Sequence, residues 1–127
     1  MLYLWDTNIV IQFLAGSFPE NARLFLTSIS NEEPSLSVVT QIVALSFNFF
    51  SINDELIMNS FIDGSKIIPL NDSIILRTIE LRKSIRIKLP DAIIAATALV
   101  YDFVLITRNT SDFKNIEGIN LLNPIQL

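Results

Sequence analysis

The sequence predicts an α/β fold, a mostly parallel sheet of four to five short strands with helices covering both faces. Three observations carry this. The strand-like segments are short continuous apolar runs, the pattern of strands buried on both sides. They alternate along the chain with segments of helical periodicity. Half of the 127 residues are hydrophobic and only 17% are charged, so there is ample apolar surface to sandwich a sheet.

The elements follow in order. Leu2 to Trp5 is an apolar run read as the first strand, ending at Asp6. Thr7 to Ala15 places Ile9, Val10, Phe13 and Leu14 at helical spacing, and Gly16 stops it. Glu20 to Ile29 is a second helix with Leu24, Phe25 and Ile29 on its inner side, and Leu36 to Val39 a second strand. Thr40 is expected to cap a third helix running to about Phe50, and Asp54 to Ile62 forms a fourth that Gly64 closes. Lys66 to Leu70 is a third strand. Asn71-Asp72-Ser73 opens an amphipathic helix whose Ile75, Leu76, Ile79 and Ile85 are expected to face the core. Pro90-Asp91 starts another helix, with Pro where its missing N–H costs nothing. Phe103 to Ile106 and Ile119 to Leu122 complete the strands.

Composition removes whole chemistries. The chain has no Cys and no His, so there is no thiol nucleophile, no Ser-His-Asp triad, no imidazole base and no Cys/His zinc site. Any metal must be held by oxygens, which selects Mg²⁺, Mn²⁺ or Ca²⁺. Nine basic against thirteen acidic residues give a net charge of −4, unlike a nucleic-acid binder built on a basic patch. A metal ion at the site would supply positive charge locally. Mean hydropathy is +0.49, and residues 34–53 carry no charge, but their many Ser, Thr, Gln and Asn residues are too polar for lipid. No basic segment precedes the first apolar run, so a secretory signal is not expected. The cytoplasm is therefore the expected location, and the length suits one domain over residues 1–127.

Ligands of parallel α/β sheets bind beyond the carboxyl ends of the strands. Asp6 directly follows the first strand, Asp91 sits at a helix start, and Asp112 lies in the expected loop after Phe103–Ile106. Singly, Asp6 and Asp91 read equally well as helix caps favoured by exposed N–H groups and the helix dipole. Together, three carboxylates at one sheet edge repel one another, and a divalent cation is the usual remedy.

Three blocks carry a resemblance. Leu4-Trp5-Asp6-Thr7-Asn8-Ile9-Val10-Ile11, Leu89-Pro90-Asp91-Ala92-Ile93-Ile94-Ala95-Ala96-Thr97-Ala98 and Leu105-Ile106-Thr107-Arg108-Asn109-Thr110-Ser111-Asp112-Phe113 resemble, in order, the acidic motifs of PIN domains, a Mg²⁺-dependent ribonuclease family. The small size is most similar to toxins of the VapC type. The resemblance spans Leu2 to Pro124. It implies a PIN-like three-layer α/β/α fold and an endoribonuclease toxin of a type II toxin–antitoxin system. Asp6, Asp91 and Asp112 would be the catalytic, metal-binding acids for Mg²⁺, with Mn²⁺ able to substitute. Thr7, Asn8, Thr107 and Asn109 would orient carboxylates or waters, although Asn8 reads slightly better as a plain helix-start residue. The implied partners are the RNA substrate and a cognate antitoxin, in a homodimer or a heterotetramer or larger assembly with antitoxin, away from membranes.

One block departs from the family pattern. The helix after the second strand usually carries Thr-x-x-Glu-Leu, and here it reads Thr40-Gln41-Ile42-Val43-Ala44. Val43 cannot ligate metal or take a proton, which predicts weak cutting or none. Gln41 is about 200° round the helix from Val43 and does not replace it. Glu32 and Glu33 precede the second strand, at the wrong end of the sheet. Such a chain is either a naturally degenerate domain or a detoxified copy, and the adjacent departures at Val43 and Ala44 favour the latter.

Other segments have two readings. Phe47, Phe49, Phe50, Ile52, Ile57 and Phe61 line an antitoxin groove or dimer face, or else pack in the core, with about half expected in each role. Lys83, Arg86 and Lys88 form either a solvated helix end or an RNA phosphate contact. A haloacid-dehalogenase-type phosphotransferase would need a second Asp where Asn8 stands. A receiver domain would need an acid pair before Asp6. The stronger rival is a catalytically dead PIN-fold module that binds antitoxin or RNA without cutting.

Overall fold

A computed structural model describes residues 2–49 and 51–127. Among these, five strands run in the order β1 (Tyr3–Trp5), β2 (Ser35–Ser37), β3 (Lys66–Ile68), β4 (Val104–Ile106) and β5 (Asn120–Leu122) along the chain. In space their order is β3-β2-β1-β4-β5, and every pairing is parallel. The chain steps outward from β1 through β2 to β3, then returns to place β4 on the other side of β1. The direction of winding therefore reverses between β1 and β4, where Tyr3, Leu4 and Trp5 pair with Val104, Leu105 and Ile106. A crevice at this reversal is the usual ligand position in an open parallel sheet.

Seven helices connect the described strands: α1 (Thr7–Leu14), α2 (Glu20–Ser30), α3 (Val38–Leu45), α4 (Ile52–Asp63), α5 (Asp72–Ser84), α6 (Leu89–Tyr101) and α7 (Thr110–Phe113). Strand alternation sends neighbouring side chains to opposite faces. Leu4 and Leu105 join Ile74, Ile94, Ala95, Ala96 and Phe113 in one core. Trp5 and Ile106 join Ile9, Val10, Leu26, Ala44, Met58 and Ile62 in the other. This is the expected three-layer α/β/α arrangement. Ala92, Ala95 and Ala96 are fully buried, so α6 lies close against the sheet with no large side chain to hold it off.

Several expected boundaries and faces shift. The second strand is Ser35–Ser37, not Leu36–Val39, because Ser37 caps α3 by accepting a hydrogen bond from the Val39 amide. The β-branched pair Val38-Val39 thus begins a helix, and Thr40 lies inside it rather than capping it. That helix ends at Leu45, short of the expected Phe50, which falls outside the described residues. Asp112 lies in the short helix α7 rather than in a loop.

Helix α5 turns inward one residue out of phase with expectation. Asn71 caps it through the Ile74 amide, and Ile74, Thr78, Leu81 and Ile85 face the core while Ile75, Leu76 and Ile79 are exposed. One residue corresponds to about 100° of rotation, enough to exchange the two faces. Likewise Leu24 of α2 is exposed, and Ala22 and Leu26 are buried with Phe25 and Ile29 beside them.

Candidate active site

Asp6 follows β1 at the reversal of the sheet. Its backbone N–H continues the ladder by donating to the Ile106 carbonyl at 2.9 Å. Its side chain caps α1: Oδ1 accepts from the Thr7 amide at 2.9 Å. Oδ2 accepts from the Thr107 hydroxyl at 2.9 Å, and that hydroxyl accepts in turn from the Asn109 amide at 3.0 Å. Only 5% of Asp6 is exposed. The helix-cap reading of Asp6 holds, and the cap fixes the carboxylate at the end of β1.

Thr7 is joined to a residue that the sequence suggested as a cap and as the start of the Thr-x-x-Glu-like block, without a role at the site. Its hydroxyl shares a 2.9 Å hydrogen bond with that of Thr40, which is fully buried. This ties α3 to the start of α1. Thr40 opens the Thr-x-x-Glu-like block, which is the signal that could have identified it. Val43 lies one turn further on the same helix and is 42% exposed. Residues three apart share a helix face, so Val43 stands on the Thr40 side of α3. Ala44 is fully buried in the core on the Trp5 side of the sheet. Asn8 is exposed in the first turn of α1.

Asp91 lies in the first turn of α6 and Asp112 in α7. The two line one cleft of about 930 Å³ with Arg82, Ile85, Arg86, Ile87, Lys88, Ser111 and Asn115. Arg82 takes a place in this wall that the sequence suggested for Lys83, while Arg86 and Lys88 are where expected. Ser111 and Asn115 were not anticipated; their positions one before and three after Asp112 on a helical turn bring them to the same side.

The acids feel one another. Burial pushes the Asp6 carboxyl above its ordinary value, and the charges of Asp91 and Asp112 push it further, against the lowering effect of the Thr107 and Thr7 hydrogen bonds. Asp91 is also raised, first by burial, then by Asp112, with nearby Lys88 opposing. Among the described residues no group of three or more acidic side chains is gathered as a ready metal cage. The donor set nevertheless suits a small hard cation. It is all oxygen, the carboxylates repel one another, and Mg²⁺ usually takes only one or two carboxylates and keeps several waters.

Glu32 and Glu33 border a shallow hollow with Leu2, Tyr3, Pro34 and Ser35 at the opposite ends of the strands, as their sequence position implied. On the α1–α4 side, Phe47, Phe49 and Ile57 line an apolar groove of about 370 Å³ with Ile11, Leu14, Ala15, Asp54 and Met58. Phe61 instead packs against Trp5, with ring centroids 5.5 Å apart. Ile52 is largely exposed. No described helix is long and apolar enough to cross a membrane.

Comparison with known proteins gives a consistent answer. The PIN domain family model matches residues 3–119. A chain of a toxin–antitoxin complex from Klebsiella pneumoniae is 30% identical, with a TM-score of 0.76, 96% of this chain covered and 97% of that one. A chain of the DNA-bound VapBC complex from Salmonella typhimurium has a TM-score of 0.82 at 21% identity, covering 98% and 99% of the two chains. A chain of FitAcB from Neisseria gonorrhoeae has a TM-score of 0.79 at 22% identity, covering 99% and 100%. At 21% and 22% identity these two likenesses are of fold. Curated proteins give no match. The family match over residues 3–119, most of the chain, makes this protein a member of the PIN domain family.

Proposed function

We propose that this chain is a Mg²⁺-dependent endoribonuclease toxin of a type II toxin–antitoxin pair, acting in the cytoplasm. The observation that carries the reading is the placement of Asp6 at the end of β1, where the sheet reverses, together with Asp91 and Asp112 lining one cleft. Three mutually repelling acids beside a cleft are a poor arrangement for stability and a useful one for holding a cation.

Asp6, Asp91 and Asp112 would hold Mg²⁺, or Mn²⁺ in its place, directly or through water. When bound, the metal lowers the pKa of water and offsets charge on the phosphate undergoing attack. The chain's own contribution is positioning. Thr107 and the Thr7 amide fix both oxygens of Asp6, and the Asn109 amide orients the Thr107 hydroxyl. The Thr7–Thr40 bond holds α3 against α1. Such support of ligating carboxylates commonly matters as much as the ligands.

Val43 favours a second reading, a module of the same fold that binds without cutting. RNA cleavage in Mg²⁺ or Mn²⁺ by this chain, by Val43→Glu and by Val43→Glu with Asp6→Ala separates the two. Cutting by either of the first two, lost with Asp6→Ala, supports the nuclease. If none of the three cuts a broad panel of RNAs, the binding module is correct.

The antitoxin partner is proposed from the Klebsiella relative, a toxin–antitoxin complex. Its docking place here is the Phe47–Ile57 groove, which is apolar, open and separate from the acids. Phe47→Asp should abolish capture of an antitoxin co-expressed with the chain, without altering RNA cleavage.

A further inference from the structure

Four of the nine basic residues of this acidic chain, Arg82, Lys83, Arg86 and Lys88, fall within seven positions. They occupy the end of α5 and its short connection to α6. Among the described residues the one ion pair is Arg77–Glu80, at 3.6 Å, so no carboxylate engages any of these four. Three of them, Arg82, Arg86 and Lys88, line the cleft that also contains Asp91 and Asp112. Arg82 donates through Nη1 to the Ile87 carbonyl at 2.9 Å, which braces the connection and holds Arg86 and Lys88 on the wall. Lys88 is near enough to Asp91 for its charge to lower that carboxyl's pKa.

Cations that form no ion pair and share one cleft with Asp91 and Asp112 suit an extended polyanion. One of its phosphates would lie at the acids and its neighbours along the cations. In a chain of net charge −4, this local positive field also sets the direction from which a polyanion approaches. Ile85 and Ile87 give the wall apolar surface between the charges, suited to an unpaired base rather than to the outside of a duplex. Resting on the nuclease reading above, we infer that Arg86 and Lys88 bind phosphates of single-stranded RNA flanking the one at the aspartates, with Arg82 a positioning residue for their loop.

Binding can be read apart from cleavage. The full chain is titrated against a short fluorescent single-stranded RNA in Ca²⁺, which offsets the acids, at several salt concentrations. Arg86→Ala with Lys88→Ala should weaken binding about tenfold and flatten the salt dependence by about 1.4, at about 0.7 per lost phosphate contact. Arg77→Ala removes the same kind of charge from α5 outside the cleft and should leave binding unchanged. Both cleft side chains are exposed, and circular dichroism checks that the fold is kept. If the original chain binds but the double variant binds equally well, or Arg77→Ala costs as much, the inference fails and the nuclease reading stands. Equal or tighter binding of a duplex of the same sequence also overturns it. If the original chain binds no RNA, both fail.

Discussion

The Thr107 hydroxyl donates to Oδ2 of Asp6 at 2.9 Å, joining residues 101 positions apart across the β1–β4 boundary. Both residues are buried, and each follows one of the two strands at which the sheet reverses. Thr107 therefore braces one oxygen of the Asp6 carboxylate as the Thr7 amide braces the other, and the Asn109 amide in turn braces Thr107. Thr107→Val keeps the shape but leaves a buried carboxylate oxygen and the Asn109 amide without this partner. It should cost about 1–3 kcal/mol of stability, read by urea denaturation, and push the Asp6 carboxyl still higher. Thr107→Ser should retain most of what Val loses.

The Asp6 carboxyl lies above its ordinary value of 3.8, so the folded state holds its proton more tightly than the unfolded state does. The stabilising contribution is complete below pH 3.8 and is lost as pH rises through the folded value. Asp6→Asn removes that loss and can still accept from the Thr7 amide. Without divalent metal, this variant should be more stable than the original chain near neutral pH by about 1 kcal/mol, and the gain should vanish at acid pH. Thermal melts across pH in EDTA test this; a variant less stable at every pH would refute it.

A cation that binds only the folded chain stabilises it by mass action, about 2.7 kcal/mol at a hundred times its dissociation constant. Mg²⁺ and Mn²⁺ should raise the melting temperature of the original chain. The rise should disappear in Asp6→Asn and shrink in Asp91→Asn, so the advantage of Asp6→Asn in EDTA should reverse at saturating metal.

Val43→Glu places a carboxylate one turn beyond Thr40, on a partly exposed part of α3. A charge-assisted contact contributes about 1.5–3 kcal/mol, which corresponds to about 10–150-fold in rate or metal affinity. The expected result is stronger divalent binding by calorimetry together with faster RNA cleavage. Unchanged metal affinity would show that position 43 does not serve the site.

Much of this was legible in the chain itself. Continuous apolar runs gave parallel buried strands, and Asp6 at the end of the first run had to reach the carboxyl edge. The absence of Cys and His confined metal chemistry to oxygen. Local periodicity did less well where a cap decided. Ser37 turned Val38-Val39 from strand to helix. Asn71 caps α5 where the sequence placed its start, but apolar residues on three sides of α5 left its inner face undetermined, and packing buried Ile74 and Leu81 while Ile75, Leu76 and Ile79 face outward.

The remaining relationships exist only in the folded chain. That Thr107 braces Asp6, that Thr40 meets Thr7, and that Arg82 rather than Lys83 shares a cleft with Asp91 and Asp112 all depend on strand order. Sequence determined which chemistries are open to this chain and which acids are candidates for them, because composition and local pattern are properties of the chain. Tertiary structure decided which of them meet, because β1 and β4 become neighbours only when the sheet reverses its winding between them.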